Sequence, residues 1–339
     1  MNREKPITTF EDNTHIVRCC INCGHDDPQT RFTFTRDFQI DVRKQDPSLL
    51  DSMKFNEDTT STIVECKRCG CIYIRDVFVA DEEQHNQPWP EQKIEETLLR
   101  YQKEFSRSSA THLQFQIQVI NILMRIALRK KASGELSLLD FGASIGMLPL
   151  MARMKGFDQV IAYDVKFPPN ISDLVSQRHP LNVILVRKKT DLLEYAPFDA
   201  IVCQSADEHF LDLKGEFKLM HDLLSDDGIL YISHPIMDLN ADIDDLKNEH
   251  LITDKSRLKA LRKTYHIDHL NYVMPKMFSN MLKESGFKEK KIFFLLRFMD
   301  VGSLHPRNLM RLCKATIKYL LDVLGMKYRK VVYFVEKTL

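Results

Sequence analysis

The sequence predicts an α/β protein: an open, mostly parallel sheet covered by helices, with a small β module ahead of it. Three observations carry this. From residue 134 onward, short apolar runs of strand length alternate with amphipathic segments, the rhythm of strand–helix–strand units. A glycine-bearing loop, Asp140-Phe-Gly142-Ala143-Ser144-Ile-Gly146, follows the first of those runs. Six of the eight cysteines fall within the first 71 of 339 residues.

The first 80 residues read as strands and loops. Arg31-Phe-Thr-Phe-Thr35 and Ile72-Tyr-Ile74 are alternating or β-branched, as short strands are, and the polar stretch 44–62 reads as a loop. Cys20-Ile-Asn-Cys23-Gly24 and Cys66-Lys-Arg-Cys69-Gly70 are matched C-x-x-C-G units. A two-residue gap lets both sulfurs of a unit reach one ion, and the glycine accepts the positive φ of a tight turn. Two units supply four sulfurs, enough for a closed tetrahedral zinc site without a coordination position for chemistry. That zinc would supplement a core that about 80 residues can barely build. Cys19 and Cys71 adjoin the units and are expected to point elsewhere; His25 is an alternative ligand.

Residues 81–92 are polar, carry two prolines and read as a linker. Residues 93–131 read as helices. Leu113, Ile117, Ile120, Met124 and Leu128 recur at three and four, an apolar stripe for the core or a subunit interface. Strands follow at 136–141, 160–163, 183–186, 200–203 and 229–232, with helices at 148–154 and 217–224. Their continuous apolar character suits parallel strands buried on both faces. Residues 236–270 look like an insertion. A helix should start near Pro275 and end before Gly286. Strands are expected at 291–298 and 330–336. Between them a helix bearing Leu309, Cys313, Ile317, Leu320 and Leu324 would suit a lid or a homodimer contact. The boundaries are thus a zinc-binding module at 1–80, linker and helices at 81–133, and an α/β domain at 134–339 that contains the 236–270 insertion.

The glycine loop sits where open α/β sheets bind ligands, at the C-terminal end of a strand. Asp164 ends the next strand, 24 residues after Asp140, and can accept both hydroxyls of a ribose. Asp191 follows the strand after that, where it could meet an adenine amino group. A dinucleotide fingerprint starting at Gly142 would need glycines at Ser144 and Met147, which disfavours a nicotinamide-dependent oxidoreductase.

The segment resembles the class I S-adenosylmethionine-dependent methyltransferases, whose first motif has the form D-x-G-x-x-x-G. Phe198-Asp-Ala-Ile-Val202 resembles their fourth strand and Glu208-His209 the pair that follows it. Leu223-Leu-Ser-Asp226-Asp227-Gly228-Ile-Leu-Tyr-Ile232 resembles their turn and fifth strand. Residues 278–287 resemble the helix before their sixth. Ser144 replaces the usual middle glycine, and Asp226-Asp227-Gly228 replaces the usual Pro-Gly-Gly. A C-x-x-C-G module ahead of such a domain recurs in methyltransferases of sugar, glycan and natural-product pathways. The resemblance implies a Rossmann-like sheet with an antiparallel last strand. It implies S-adenosylmethionine held by Asp140, Gly142, Ala143, Ser144, Gly146, Asp164, Val165, Asp191, Leu192 and Gln204. It also implies methyl transfer to an O or C atom of a small acceptor such as a nucleotide sugar or glycan. His209, at the sheet's ligand edge, is the candidate general base. His234, His266, His269 and Tyr272 are candidates to line the acceptor pocket. An inactive scaffold built on the zinc module is the alternative from another class.

Charge narrows the partners. With 48 basic and 47 acidic residues the net charge is +1, which argues against a nucleic-acid binder working through phosphate electrostatics. The longest apolar run is five residues, far from the roughly 20 that a membrane span needs. The first residues lack the apolar core of a signal peptide. The expected location is the cytoplasm, where clustered cysteines are metal ligands rather than disulfides.

Overall fold

A computed structural model describes residues 7–9, 15–38, 50, 55–78, 92, 94–97, 99, 111–130, 134–144, 148–167, 183–235, 269–289 and 330–338. Gly146, His266, nearly all of the insertion, the strand expected at 291–298 and the helix around 309–324 lie outside them.

Among the described residues the C-terminal half holds seven strands: β7 (Ser137–Phe141), β8 (Gln159–Tyr163), β9 (Ile184–Val186), β10 (Phe198–Gln204), β11 (Leu224–Pro235), β12 (Phe287–Glu289) and β13 (Lys330–Lys337). Their spatial order is β12-β13-β11-β10-β7-β8-β9. The five strands from β9 to β11 are parallel, and β13 pairs antiparallel with both β11 and β12. The chain therefore reverses its winding direction between β7 and β10, the switch point at which such sheets open a ligand crevice.

The apolar runs are continuous because both faces are covered. On one face Leu138, Val160, Ala200, Val202, Ile229 and Tyr231 pack under helices α1 (Thr111–Lys130) and α2 (Leu148–Lys155). On the other, Leu139, Phe141, Ile161, Ile201, Leu230 and Ile232 pack under α3 (Leu213–Leu223) and α4 (Pro275–Glu284). Asp212 starts α3 by accepting from the Gly215 amide at 2.9 Å. Pro275 occupies the first turn of α4, and Gly286 follows its end at φ +90°, as expected.

The stripe on α1 is displaced. Among its described side chains Gln116, Val119, Ile120, Leu123 and Ala127 are buried, Ile117 and Met124 pack at the edge of the core, and Leu128 is 55% exposed. The helix is apolar over about two-thirds of its circumference, wide enough for two overlapping stripes.

The N-terminal strands form two three-stranded sheets. One holds β1 (Ile7–Thr9), β2 (His15–Arg18) and β6 (Asp76–Phe78); the other β3 (Pro28–Phe34), β4 (Ser61–Cys66) and β5 (Ile72–Ile74). Their pairs are antiparallel. Cys20, Val64, Cys66, Cys71 and Tyr73 share one hydrophobic cluster with the seven-stranded sheet. Residues 270–272 run along β5: the Ile74 amide donates to the Leu270 carbonyl at 2.9 Å and the Tyr272 amide to the Ile72 carbonyl at 3.1 Å. Buried Arg18 donates to the carbonyls of Ile74, Leu270 and Leu211 and to Asn271 Oδ1 at 2.8–3.2 Å. The N-terminal module and the C-terminal half are interlocked.

Candidate functional site

The strand ends at the switch point carry the acids and the glycine loop. Asp140, on β7, is buried. Burial, reinforced by the charge of Asp164, pushes its carboxyl up to about 8. Asp164 follows β8. Its Oδ2 accepts from the Ser144 amide at 2.8 Å and its Oδ1 from the Lys166 amide at 2.9 Å. Burial raises its pKa, while those two amides and the charges of Lys166 and His209 pull the other way. Each oxygen keeps a lone pair for a further donor.

The glycine loop works differently from the expectation. The amides of Gly142 and Ala143 both donate to the Tyr163 carbonyl at 2.9 Å, so they are already engaged. Gly142 adopts φ +79°, and a Cβ there would lie 2.5 Å from Ala206 Cβ. The absent side chain makes room for Ala206. Ala143 is buried with Ile94, Ala162 and Phe167, so the short helical stretch 94–97 sits against the loop, a role that its sequence did not signal. Two non-glycine residues, Ser144 and Ser205, hold positive φ at 50° and 55°, one after β7 and one after β10. Such strain clusters at functional sites.

The remaining cofactor candidates divide. Gln204 ends β10, and its Oε1 is buried with no hydrogen-bond partner among the described residues. Val165 packs at the edge of the core. Leu192 is buried within that core, so its side chain belongs to packing. Asp191 is exposed on the short turn Lys189–Glu194, where it accepts from Thr190 Oγ1 at 3.0 Å.

After Ser205 the chain makes a one-turn helix, Asp207–His209. His209 is exposed and meets His269 edge to face, ring centroids 4.8 Å apart. His234 does not line a pocket. It is fully buried, Nδ1 against Asp207 Oδ2 and Nε2 2.7 Å from the Val273 carbonyl. A carbonyl only accepts, so Nε2 carries a proton and Nδ1 faces a carboxylate. Burial alone would lower the imidazole pKa, but Asp207 and the Val273 carbonyl more than offset it, and the pKa is raised. The ring also stacks on Phe278 at 4.2 Å. Tyr272 is buried in the N-terminal core. His234 and Tyr272 are thus structural, and only His269 of the described acceptor candidates stands beside His209.

The four cysteines converge. Cys20, Cys23, Cys66 and Cys69 offer sulfurs all within 4.8 Å of one another. Cys20–Cys69 and Cys23–Cys66 are 3.5 and 3.7 Å apart. Zinc–sulfur bonds near 2.3 Å place tetrahedral sulfurs about 3.8 Å apart, so the cage fits zinc. The two units fold alike: the Gly24 amide donates to the Cys20 carbonyl and Gly70 to Cys66, both at 2.8 Å, with φ of 70° and 72°. His25 is exposed and outside the group.

A family described as a methyltransferase domain matches residues 110–290, more than half of the chain. The chain belongs to this methyltransferase family. The match takes in the switch point, the acids and His209. Solved structures resemble the chain at low identity. The PKMT2 protein of Rickettsia typhi, solved with AdoHcy, is 14% identical at a TM-score of 0.40; the likeness covers 63% of this chain and 52% of that one. An S-adenosylmethionine-dependent methyltransferase from Clostridium acetobutylicum is 12% identical at 0.42, covering 72% and 98%. The 1,6-didemethyltoxoflavin-N1-methyltransferase of Burkholderia thailandensis is 14% identical at 0.40, covering 84% and 97%. The methyltransferase chain thus spans about half the length of the first of these. A search of curated proteins finds no significant match.

Proposed function

We propose that the chain transfers a methyl group from S-adenosylmethionine to an O or C atom of a small acceptor, with a nucleotide sugar or glycan as the acceptor class. The observation that carries it is the pair of acids at adjacent strand ends. Burial first, and the negative charge of Asp164 second, hold the Asp140 carboxyl toward its protonated form, and a cationic ligand at that edge would favour the ionised pair. Asp164 would accept the ribose hydroxyls while its amide bonds clasp the glycine loop. Gln204, with its unpartnered oxygen, would accept a donor from the same ligand. These features fit S-adenosylmethionine, which when bound supplies an electrophilic methyl group on a sulfonium.

His209 stands on the acceptor side, close enough to Asp164 for its charge to act on it. An acceptor hydroxyl within its reach would give its proton to the imidazole. Glu208 and His269 flank it. The chain's further task is to hold the acceptor in line and keep water out. Asp191 and Leu192 are secondary contributors, the first through its exposed carboxylate and the second only through its backbone.

The cysteine cage would hold zinc as a structural ion, since four sulfurs leave no position open. Cys20 and Cys66 share a hydrophobic cluster with Tyr73 and Val273, so the cage would support the chain next to His269. Incubation with S-adenosylmethionine and pooled nucleotide sugars, followed by mass spectrometry, tests the reading. A methylated sugar is expected in the parent and not in Asp164→Ala. Unchanged product in that variant, or none from any acceptor, argues against it.

A further inference from the structure

We propose that Glu208, His209 and His269 bind a divalent transition-metal ion at the acceptor side of the strand ends. One ligand atom from each of the three lies within 4.8 Å of the others. Two imidazoles and a carboxylate form a ligand set suited to such ions. With bonds near 2.1 Å, ligand atoms at tetrahedral angles stand about 3.4 Å apart, so the trio closes on an ion by side-chain adjustment, for which exposed His209 has room.

The juxtaposition is built into the backbone. Glu208 and His209 share one helical turn, and the Glu208 carbonyl accepts from the amides of Leu270 at 2.6 Å and Asn271 at 3.2 Å. Asn271 Nδ2 donates to the carbonyls of Asp207 and Phe210 at 2.9 and 2.8 Å. Arg18 grips the carbonyls of Leu211 and Leu270 from behind. The segment bearing His269 is therefore held against the turn by buried hydrogen bonds from both sides. Chance meetings of surface side chains lack such support.

This site differs from the cysteine cage in being open. Glu208 is buried, His269 half-buried and His209 exposed, so a bound ion keeps coordination positions facing solvent. Those positions suit an acceptor with two adjacent oxygens, vicinal hydroxyls or a hydroxyl beside a carbonyl. Coordination would orient the acceptor and raise the acidity of its hydroxyl. That role rests on the methyltransferase reading; the binding of the ion does not. With the ion present, His209 is a ligand rather than a base.

Calorimetric titration of the untagged, zinc-loaded full chain with nickel tests the proposal, with S-adenosylmethionine titrated into the same samples. The parent should take up one nickel per chain. His269→Ala should weaken that binding at least about tenfold, given that losing a mere outer-shell partner costs about 10–100-fold. Glu208→Gln should act likewise. No uptake by the parent, or equal uptake by His269→Ala, overturns the site. His269 is half-exposed, so its loss leaves the fold intact, which circular dichroism verifies. S-adenosylmethionine binding without nickel uptake removes this site alone. Nickel uptake without S-adenosylmethionine binding removes the methyltransferase reading and leaves the site.

Discussion

At the residue scale, Asp164 and Asp140 have different work despite their similar position. Asp164 is already held by two amides and keeps capacity for a ligand. Asp164→Asn should weaken S-adenosylmethionine binding by about tenfold or more, the worth of a hydrogen bond to a charged group; calorimetry reads it. Asp140 is the buried partner whose carboxyl is pushed up to about 8. A carboxyl raised in the folded state holds its full stability below the unfolded value near 4 and loses it as pH rises through about 8. Asp140→Asn should therefore gain on the parent as pH rises across that window, by more than about 1 kcal/mol at the upper end. Denaturant titrations at both ends measure it, and a constant difference would contradict the assignment. The acids were legible in the sequence because each follows an apolar run of strand length. The His234–Asp207 pair was not, since a histidine at a strand end looks the same whether it faces solvent or a buried carboxylate.

At the element scale, strands were easier to read than helix faces. A strand buried on both sides shows an unbroken apolar run, and β7, β8 and β10 lie where those runs lie. In α1 the apolar face is wider than the surface it packs on, so the sequence offered a stripe through Leu128 while the fold buries Leu123 and Ala127. The glycine loop carried a similar ambiguity. Its spacing pointed to a ligand cradle, yet Gly142 is also required by Ala206, a residue 64 positions later that no local pattern links to it. Gly142→Ala should destabilise the protein by roughly 1–3 kcal/mol, through positive φ and overpacking together. Adding Ala206→Gly should recover part of that loss in a thermal melt. If the double variant is no more stable than the single one, the contact is not the cause.

At the scale of the whole molecule, the cysteine module is an integral part of the catalytic half. The sequence marked it as a separate unit through its cysteines and the polar linker. The pairing of β5 with residues 270–272 was invisible because it joins segments some 200 positions apart. Arg18, buried and lowered to about 10 by desolvation, remains charged at neutral pH and ties the two halves together. Arg18→Met should cost more than about 3 kcal/mol, since it strands several buried acceptors. If the four-cysteine cage holds the proposed zinc, a chelator should lower the melting temperature of the entire chain in one transition. Two transitions, with the catalytic one unmoved, would show that the halves are independent. The central claim, that the acids at the switch point bind S-adenosylmethionine, has a direct measurement. It is isothermal calorimetry of the parent and Asp164→Asn with S-adenosylmethionine and, separately, with NAD. The account predicts saturable S-adenosylmethionine binding to the parent, weakened in the variant, and none of NAD. No S-adenosylmethionine binding at millimolar ligand, with NAD bound instead, would contradict it.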